Sequence, residues 1–515
     1  MQLMSNNSWG NPRKQNTRRE NGALRTPDRA LAATRRPKEL VGLAILSALL
    51  SIAYLLQWSV FYRSLNVIGP LTLMAILCFS AYASVRANSL NVWTPIFWYR
   101  LASAVYFGFG SIVPFIGSRE TQAFLAIIYP VDDLLALKVN LIYCLGIFFT
   151  LAFYYVFSAS PIKHSRYGGT DHLDIQKRRT FLFASAFLGA GFLLRYVVVL
   201  PYVLGFGTEV LPGAILTLSM VFYVGVYLLV VYCANFDRRL WLLAGVVISF
   251  DLLIAILSFQ KIQLILLMIF VFLGIISHRA NIKKIAICAV CVLAAYLSFQ
   301  PVVMYGRGVL MTTYGTIHGT GLGERVEIIT DYAKGGRESD VSGIQWGLLR
   351  LSYINTSAFV VQRHDSGMPG STFVDAAAVF IPRALWPDKP IITKLGTDLN
   401  DDIYGSEASS IAPGHSSEAY WNFGWFGIVP YMAVLALILA FFTRFSLVVM
   451  SDKNWLYLPV VFIGVQLGLR VDGFFVSDTL GGVWMAIVLA GVIRVLQAVG
   501  DIGIKRRQKR MQGGR

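Results

Sequence analysis

The sequence predicts an all-α protein threaded many times through a membrane, and three observations carry that expectation. Of 515 residues, 56% are hydrophobic and only 14% charged, with mean hydropathy +0.60, against about 25% charged in an average soluble domain. Apolar runs of the length a helix needs to cross a bilayer, about 20 residues, recur along the chain. Lys and Arg concentrate in the tails and in short connections between those runs, which is how membrane topology is encoded.

The runs fall at roughly 40–61, 67–85, 93–116, 138–158, 181–200, 211–233, 240–257, 262–277, 285–303, 423–442, 455–474 and 480–498, about twelve spans by the length rule. Only helices and closed barrels satisfy the backbone in lipid, so each run reads as a helix. The eighth is short and suits a hairpin with the seventh. The chain then divides into a basic cytoplasmic tail at 1–39, nine helices over 40–303, a large loop at 304–422, three helices over 423–498, and a second basic tail at 499–515. The first tail carries nine basic residues against Glu20, Asp28 and Glu39. No apolar core follows it at signal-peptide spacing, so it reads as retained and able to touch anionic head groups.

With the first tail inside, inward segments hold 28 Lys and Arg, whereas short outward ones hold three, Arg63, Arg119 and Lys261. Both termini are therefore expected in the cytoplasm, and the long loop outside. That loop holds nine basic and thirteen acidic residues. The net charge of +17 follows this topological pattern and does not mark a nucleic-acid partner. Cys78, Cys144, Cys233, Cys288 and Cys291 all fall in apolar runs, as small buried side chains do. No zinc spacing, phosphate loop or dinucleotide motif appears, and neither a metal nor another cofactor is expected.

The loop is long enough for structure of its own. Ile344, Leu348, Leu351 and Ile354 give 342–363 a helical period. A second helix is expected over 372–385, stopped by Trp386-Pro387, with Phe373, Ala377, Phe380 and Ile381 on one face. Between Lys389 and Gly414 the composition turns to Thr, Asp, Asn, Gly and Ser, which reads as irregular loop.

Ionisable groups inside spans are costly and default to functional candidates. Arg100 lies near the cytoplasmic side, where it can snorkel. Arg195, Asp251, Lys261, Arg470 and Asp472 fall in the outer half and are expected to share one cavity beneath the loop. In the loop, Arg307, Arg350, Arg363, Arg383 and Lys389 are the basic candidates for an anion. Arg suits phosphate because its fork donates two parallel hydrogen bonds, while Lys acts as a point charge. His415 stands just before Ser416 and Ser417, plausible caps for the next helix, and is a candidate general base. Glu418 is a second candidate, although an acid in a first helical turn also complements the dipole. Asp132 with Asp133, and Asp398 with Asp401 and Asp402, read as solvated loop.

Two stretches resemble a known family. Phe380-Ile381-Pro382-Arg383-Ala384-Leu385-Trp386-Pro387-Asp388-Lys389-Pro390 is one. The other is Gly414-His415-Ser416-Ser417-Glu418-Ala419-Tyr420-Trp421-Asn422-Phe423-Gly424-Trp425-Phe426-Gly427, entering a span. Both look like bacterial oligosaccharide repeat-unit polymerases, the Wzy-type O-antigen and exopolysaccharide polymerases, and Phe259-Gln260-Lys261 resembles a basic spot in that family. The resemblance implies a GT-C-like membrane fold in the inner membrane with its site facing the periplasm. The donor would be a glycan on undecaprenyl pyrophosphate and the acceptor a lipid-linked repeat unit, with membrane lipids and a chain-length regulator as further partners. Arg195, Lys261, Arg307, Arg350, Arg383, Lys389 and Arg470 would hold pyrophosphate, and His415 or Glu418 would take the acceptor proton. O-antigen ligases are related: His415-Ser416 followed by Gly424 and Gly427 resembles theirs, with a spacer two residues shorter. A flippase or transporter of lipid-linked glycans is the alternative of another class.

Overall fold

A computed structural model of the chain describes residues 27–160, 173–204, 215, 218–278, 282–314, 320–335, 348–374, 376–381, 385–386, 388–405 and 410–495. The far parts of both tails lie outside it. Every regular element among the described residues is helical. Nine helices there are long and apolar enough to cross a membrane: Pro27–Leu55, Ser59–Ala87, Pro95–Ile116, Asp133–Phe157, Lys177–Val203, Arg238–Leu257, Val290–Leu310, His415–Ser451 and Phe475–Val495. Shorter apolar helices, Val221–Asn235, Gln263–Ile276 and Trp455–Leu469, stand at the sixth, eighth and eleventh predicted runs.

These helices are apolar on both faces, as lipid requires. On the Pro37–Leu55 helix, Leu43, Leu46 and Leu50 face the bundle while Val41, Ile45, Leu49 and Ile52 are exposed. In water that outer stripe would be a large apolar patch. At the bundle centre, Asp133–Phe157 packs along His415–Ser451, with Leu137, Tyr143, Ile147 and Leu151 against Met432, Leu435 and Leu439. Gly146 makes that approach possible, because a Cβ there would lie 2.2 Å from Ser416 Oγ.

At the end bearing the N-terminal helix, the expected snorkelling of Arg100 is replaced by complete burial. Its Nε and Nη2 each donate to Glu39 at 2.8 Å, Nη2 also donates to the Thr34 carbonyl at 2.8 Å, and Tyr155 donates to Glu39 at 2.7 Å. A guanidinium so enclosed needs a carboxylate partner, which Glu39 supplies. Part of the predicted tail is thus folded. Helix Pro27–Thr34 docks through Ala30 and Leu31 onto Leu447.

At the opposite end, which carries the long loop, helix Ile282–Tyr314 runs past the expected limit at 303 with Pro301 inside it. Leu322–Lys334 and Ile354–Asp365 follow; of the expected helix at 342–363, residues 342–347 lie outside the described ones, and a turn at 350–351 separates helical 348–349 from Ile354. Within the expected helix at 372–385, the described residues form a short 3₁₀ turn, Ala376–Phe380. The expected irregular stretch instead contains helix Leu395–Tyr404, closed by Gly405 in a left-handed conformation. Leu399 is buried there with Leu395 and Ile403 beside Val360 and Phe474, so an i, i+4, i+8 stripe overrides the polar composition.

Helix His415–Ser451 is broken at Gly424, whose φ of 63° and ψ of −152° lie in a region open essentially to glycine alone. A Cβ there would also meet His364 Nε2 at 2.9 Å. The break turns a nine-residue segment, 415–423, away from the long apolar helix and sets its carbonyls against the loop: Gly370 N donates to the Trp421 carbonyl at 2.9 Å. Gly424→Ala is expected to cost about 1–3 kcal/mol, read as a lower apparent melting temperature of the detergent-solubilised full chain.

Candidate active site

The broken helix explains where the two sequence-chosen bases lie. Gly414, at φ 79°, packs beneath Phe107 and the Val471 carbonyl, and His415 N donates to that carbonyl at 3.2 Å. His415 is 3% exposed, with Nε2 3.2 Å from Thr479 Oγ1, an edge against Phe475, and Nδ1 without a hydrogen-bond partner. Glu418 is wholly buried. Its oxygens accept from Thr372 Oγ1 at 2.6 Å, Tyr431 OH at 2.6 Å and Phe475 N at 2.7 Å. Three donors are what a buried carboxylate needs. Glu418 therefore ties the 372 segment, its own helix and the π-helical turn Phe475–Leu480 into one knot, with His415 beside it. The structure brings both residues together but sets them behind the surface.

The accessible chemistry gathers next to that knot, around two arginines. Arg307 lies on the last turns of helix Ile282–Tyr314 and donates from Nε to the Phe259 carbonyl at 3.1 Å. Phe259 is itself buried, with a left-handed φ of 49° at the turn between helices Trp241–Leu257 and Lys261–His278. A bulky residue in that conformation is a genuine outlier; here it is the fixed point that aims Arg307. Arg350, exposed in the turn before helix Ile354–Asp365, lies close enough for the two like charges to oppose each other. No described carboxylate pairs with either guanidinium. Tyr296, Tyr353 and Tyr404 lie within electrostatic reach of Arg350. Two guanidiniums that feel each other's charge, one of them within reach of three phenols, form a setting for a dianion.

Tyr353 links this pair to the knot. Its hydroxyl donates to Asp472 Oδ2 at 2.7 Å, and its ring meets Tyr106 edge-on at 5.3 Å. Asp472 stands in the connection between helix Leu458–Leu469 and the turn Phe475–Leu480, one residue from the carbonyl that His415 N meets. Burial pushes the Asp472 carboxyl above the ordinary carboxylate range, and burial likewise raises the Tyr353 phenol. Arg470 and Asp478 form an ion pair alongside, and Asp478 Oδ2 also accepts from Phe474 N at 3.1 Å. Arg470 keeps half of its side chain exposed.

The expected single cavity shared by Arg195, Asp251, Lys261, Arg470 and Asp472 is not what the described residues form. Arg195 is 4% exposed and donates to Asp251 at 2.7 Å and to Gln263 Oε1 at 2.8 Å, its guanidinium lying over Tyr223; Tyr196 donates to the same carboxylate. Its charge is answered within the bundle, so Arg195 braces helices. Lys261 opens helix Lys261–His278; its side chain lies outside the described residues. Arg383, with Pro382, Ala384 and Pro387, also lies outside them. Lys389 is partly buried and donates to the Ile381 carbonyl at 2.9 Å.

Sequence reasoning missed several participants. Tyr106 and Tyr296 sit inside apolar runs and look like ordinary span aromatics until the fold turns them toward Arg350 and Asp472. Arg325, fully buried, donates to the Thr320, Leu257 and Val203 carbonyls at 3.1, 3.2 and 3.2 Å, clamping the ends of two apolar helices. Lys138 pairs with Asp365, which also accepts from Tyr420 at 2.7 Å. Nothing local in the sequence announces contacts across such separations. Among the described residues no group of three or more His, Cys, Asp or Glu is placed to hold a metal.

Fold and site together define a helical protein of multi-pass membrane character with an arginine pair and a half-buried carboxylate at its loop end. Comparison with protein-family models, with curated proteins and with solved structures finds no match to this chain.

Proposed function

We propose that the protein polymerises lipid-linked oligosaccharide repeat units at the outer face of the bacterial inner membrane. The observation that carries this reading is the Arg307–Arg350 pair, two mutually repelling guanidiniums with no described carboxylate to neutralise them. In this reading the chain crosses the membrane about twelve times by the length rule, with both termini inside and the loop end in the periplasm. The donor is a growing glycan on undecaprenyl pyrophosphate, the acceptor a second lipid-linked unit. Transfer breaks the bond between the anomeric carbon and the pyrophosphate oxygen, and charge develops on that oxygen. Fixed cations beside it lower the barrier by electrostatic preorganisation, without any need to reorganise at the moment of reaction. Lys389 adds positive potential at the same end of the bundle, while the charge of Arg470 is shared with Asp478.

The test is a strain lacking the protein. Glycans of a single repeat, with the length ladder restored by the intact gene, are the expected result. A full-length lipid-linked polymer that is never attached would instead mark a ligase, and repeat units held inside the cell a flippase.

A further inference from the structure

We propose that Asp472 is the catalytic residue that takes the proton from the acceptor hydroxyl. This rests on the polymerase reading above and names a part of its chemistry that His415 and Glu418 are badly placed to perform. A base must reach the proton it removes. Glu418 is fully buried with its oxygens engaged by three donors, and His415 is enclosed against Thr479 and Phe475. The neighbouring carboxylate of Asp478 is held by Arg470 and Phe474 N. Further off, Asp251 is bound to Arg195, Asp365 to Lys138 and Asp402 to Arg363. Asp472 differs from all of them. Its carboxylate accepts from Tyr353 and from its own backbone N–H, and no described cationic side chain pairs with it.

Its location fits the task. Tyr353 contacts Asp472 through its hydroxyl and lies in the field of Arg350, so the carboxylate and that arginine act on one phenol. A sugar pyrophosphate held by Arg307 and Arg350 would present its anomeric carbon on the side where Asp472 stands. The acceptor oxygen then forms a bond to that carbon as the bond to the pyrophosphate oxygen breaks. The electron pair leaves on the pyrophosphate, and the acceptor proton passes to the Asp472 carboxylate, to be lost to water afterwards. Tyr353 fixes the carboxylate's orientation, a positioning role.

The experiment uses the full chain in the strain lacking it, with extension read from the surface glycan ladder. Purified variants are tested for binding of farnesyl pyrophosphate as a soluble donor probe. Asp472→Asn is expected to lower extension about 10²–10⁴-fold, the range for losing a general base, with probe binding and protein level unchanged. Tyr353→Phe keeps the carboxylate and is expected to cost much less. Equal losses in the two variants would show that Asp472 matters only through its bond to Tyr353, and would overturn the proposal. Extension by Asp472→Asn above a tenth of the wild-type level would do the same. Should Asp472→Asn fail to accumulate, Asp472→Glu decides: measurable extension supports the assignment, and none at normal protein level refutes it. A wild-type chain that extends nothing refutes the polymerase reading itself, and Asp472's role with it.

Discussion

Replacing Arg350 by alanine is expected to reduce glycan chain extension by about 10²–10³-fold, the loss seen when one preorganised charge-stabilising group is removed. The protein should remain folded and inserted, because Arg350 is exposed and makes no ion pair among the described residues. Arg307→Ala should act in the same direction on activity. It should also disturb the Phe259 turn, whose carbonyl accepts from Arg307, so some loss of thermal stability is expected with it. Arg350→Lys should recover only part of the rate, since a point charge replaces a fork. Ladder length and protein level, measured in the same cells, separate these effects. Two arginines acting on one anion should also be non-additive: once one is lost, removing the other should cost less than it does alone.

The second large effect is on stability. Glu418→Ala is expected to cost several kcal/mol, since each buried donor left without an acceptor costs about 1–3 kcal/mol. The Thr372 hydroxyl, the Tyr431 hydroxyl and Phe475 N would lose their common acceptor at once. Two of those donors stand on other segments, so the 372 segment and the Phe475–Leu480 turn should loosen together. Unfolding from detergent or lipid is often irreversible, so the readout is the apparent melting temperature at a fixed scan rate. Glu418→Gln should lose less, because an amide oxygen still accepts while its NH₂ must find a place among donors. A Glu418→Gln chain that melts normally and extends nothing would make Glu418 a reacting group rather than a tie.

The positions of the apolar helices were legible because each is written locally, as a run of apolar residues flanked by basic connections, and an apolar helix stands at every predicted run. Helix Leu395–Tyr404 was hidden because Thr, Asp and Asn dominate its composition while only Leu395, Leu399 and Ile403 make its buried stripe. The site was legible as a set of residue types and not as a set of partners. Arg195 and Arg350 look alike in sequence, each a basic residue near an apolar run. The fold gives Arg195 a carboxylate 56 positions away and gives Arg350 none among the described residues. Which charge is spent on holding helices, and which remains for a ligand, depends on long-range packing. Glu418 shows the same point from the other side. A helix-entry acid next to a histidine suggested catalysis, yet the break at Gly424 and the turn at Phe475 enclose it. Asp472 stood among the charged span residues from the start, and only its bond to Tyr353 and its neighbours' engagement single it out.

The most direct measurement reconstitutes the purified full chain in lipid vesicles with undecaprenyl-pyrophosphate-linked repeat units and follows product length with time. Glycans of two, three and more units are expected to appear with release of undecaprenyl pyrophosphate, and the Arg350→Ala chain is expected to form almost none. Repeat units left unchanged by the wild-type chain, or moved across the bilayer without being joined, would contradict the account.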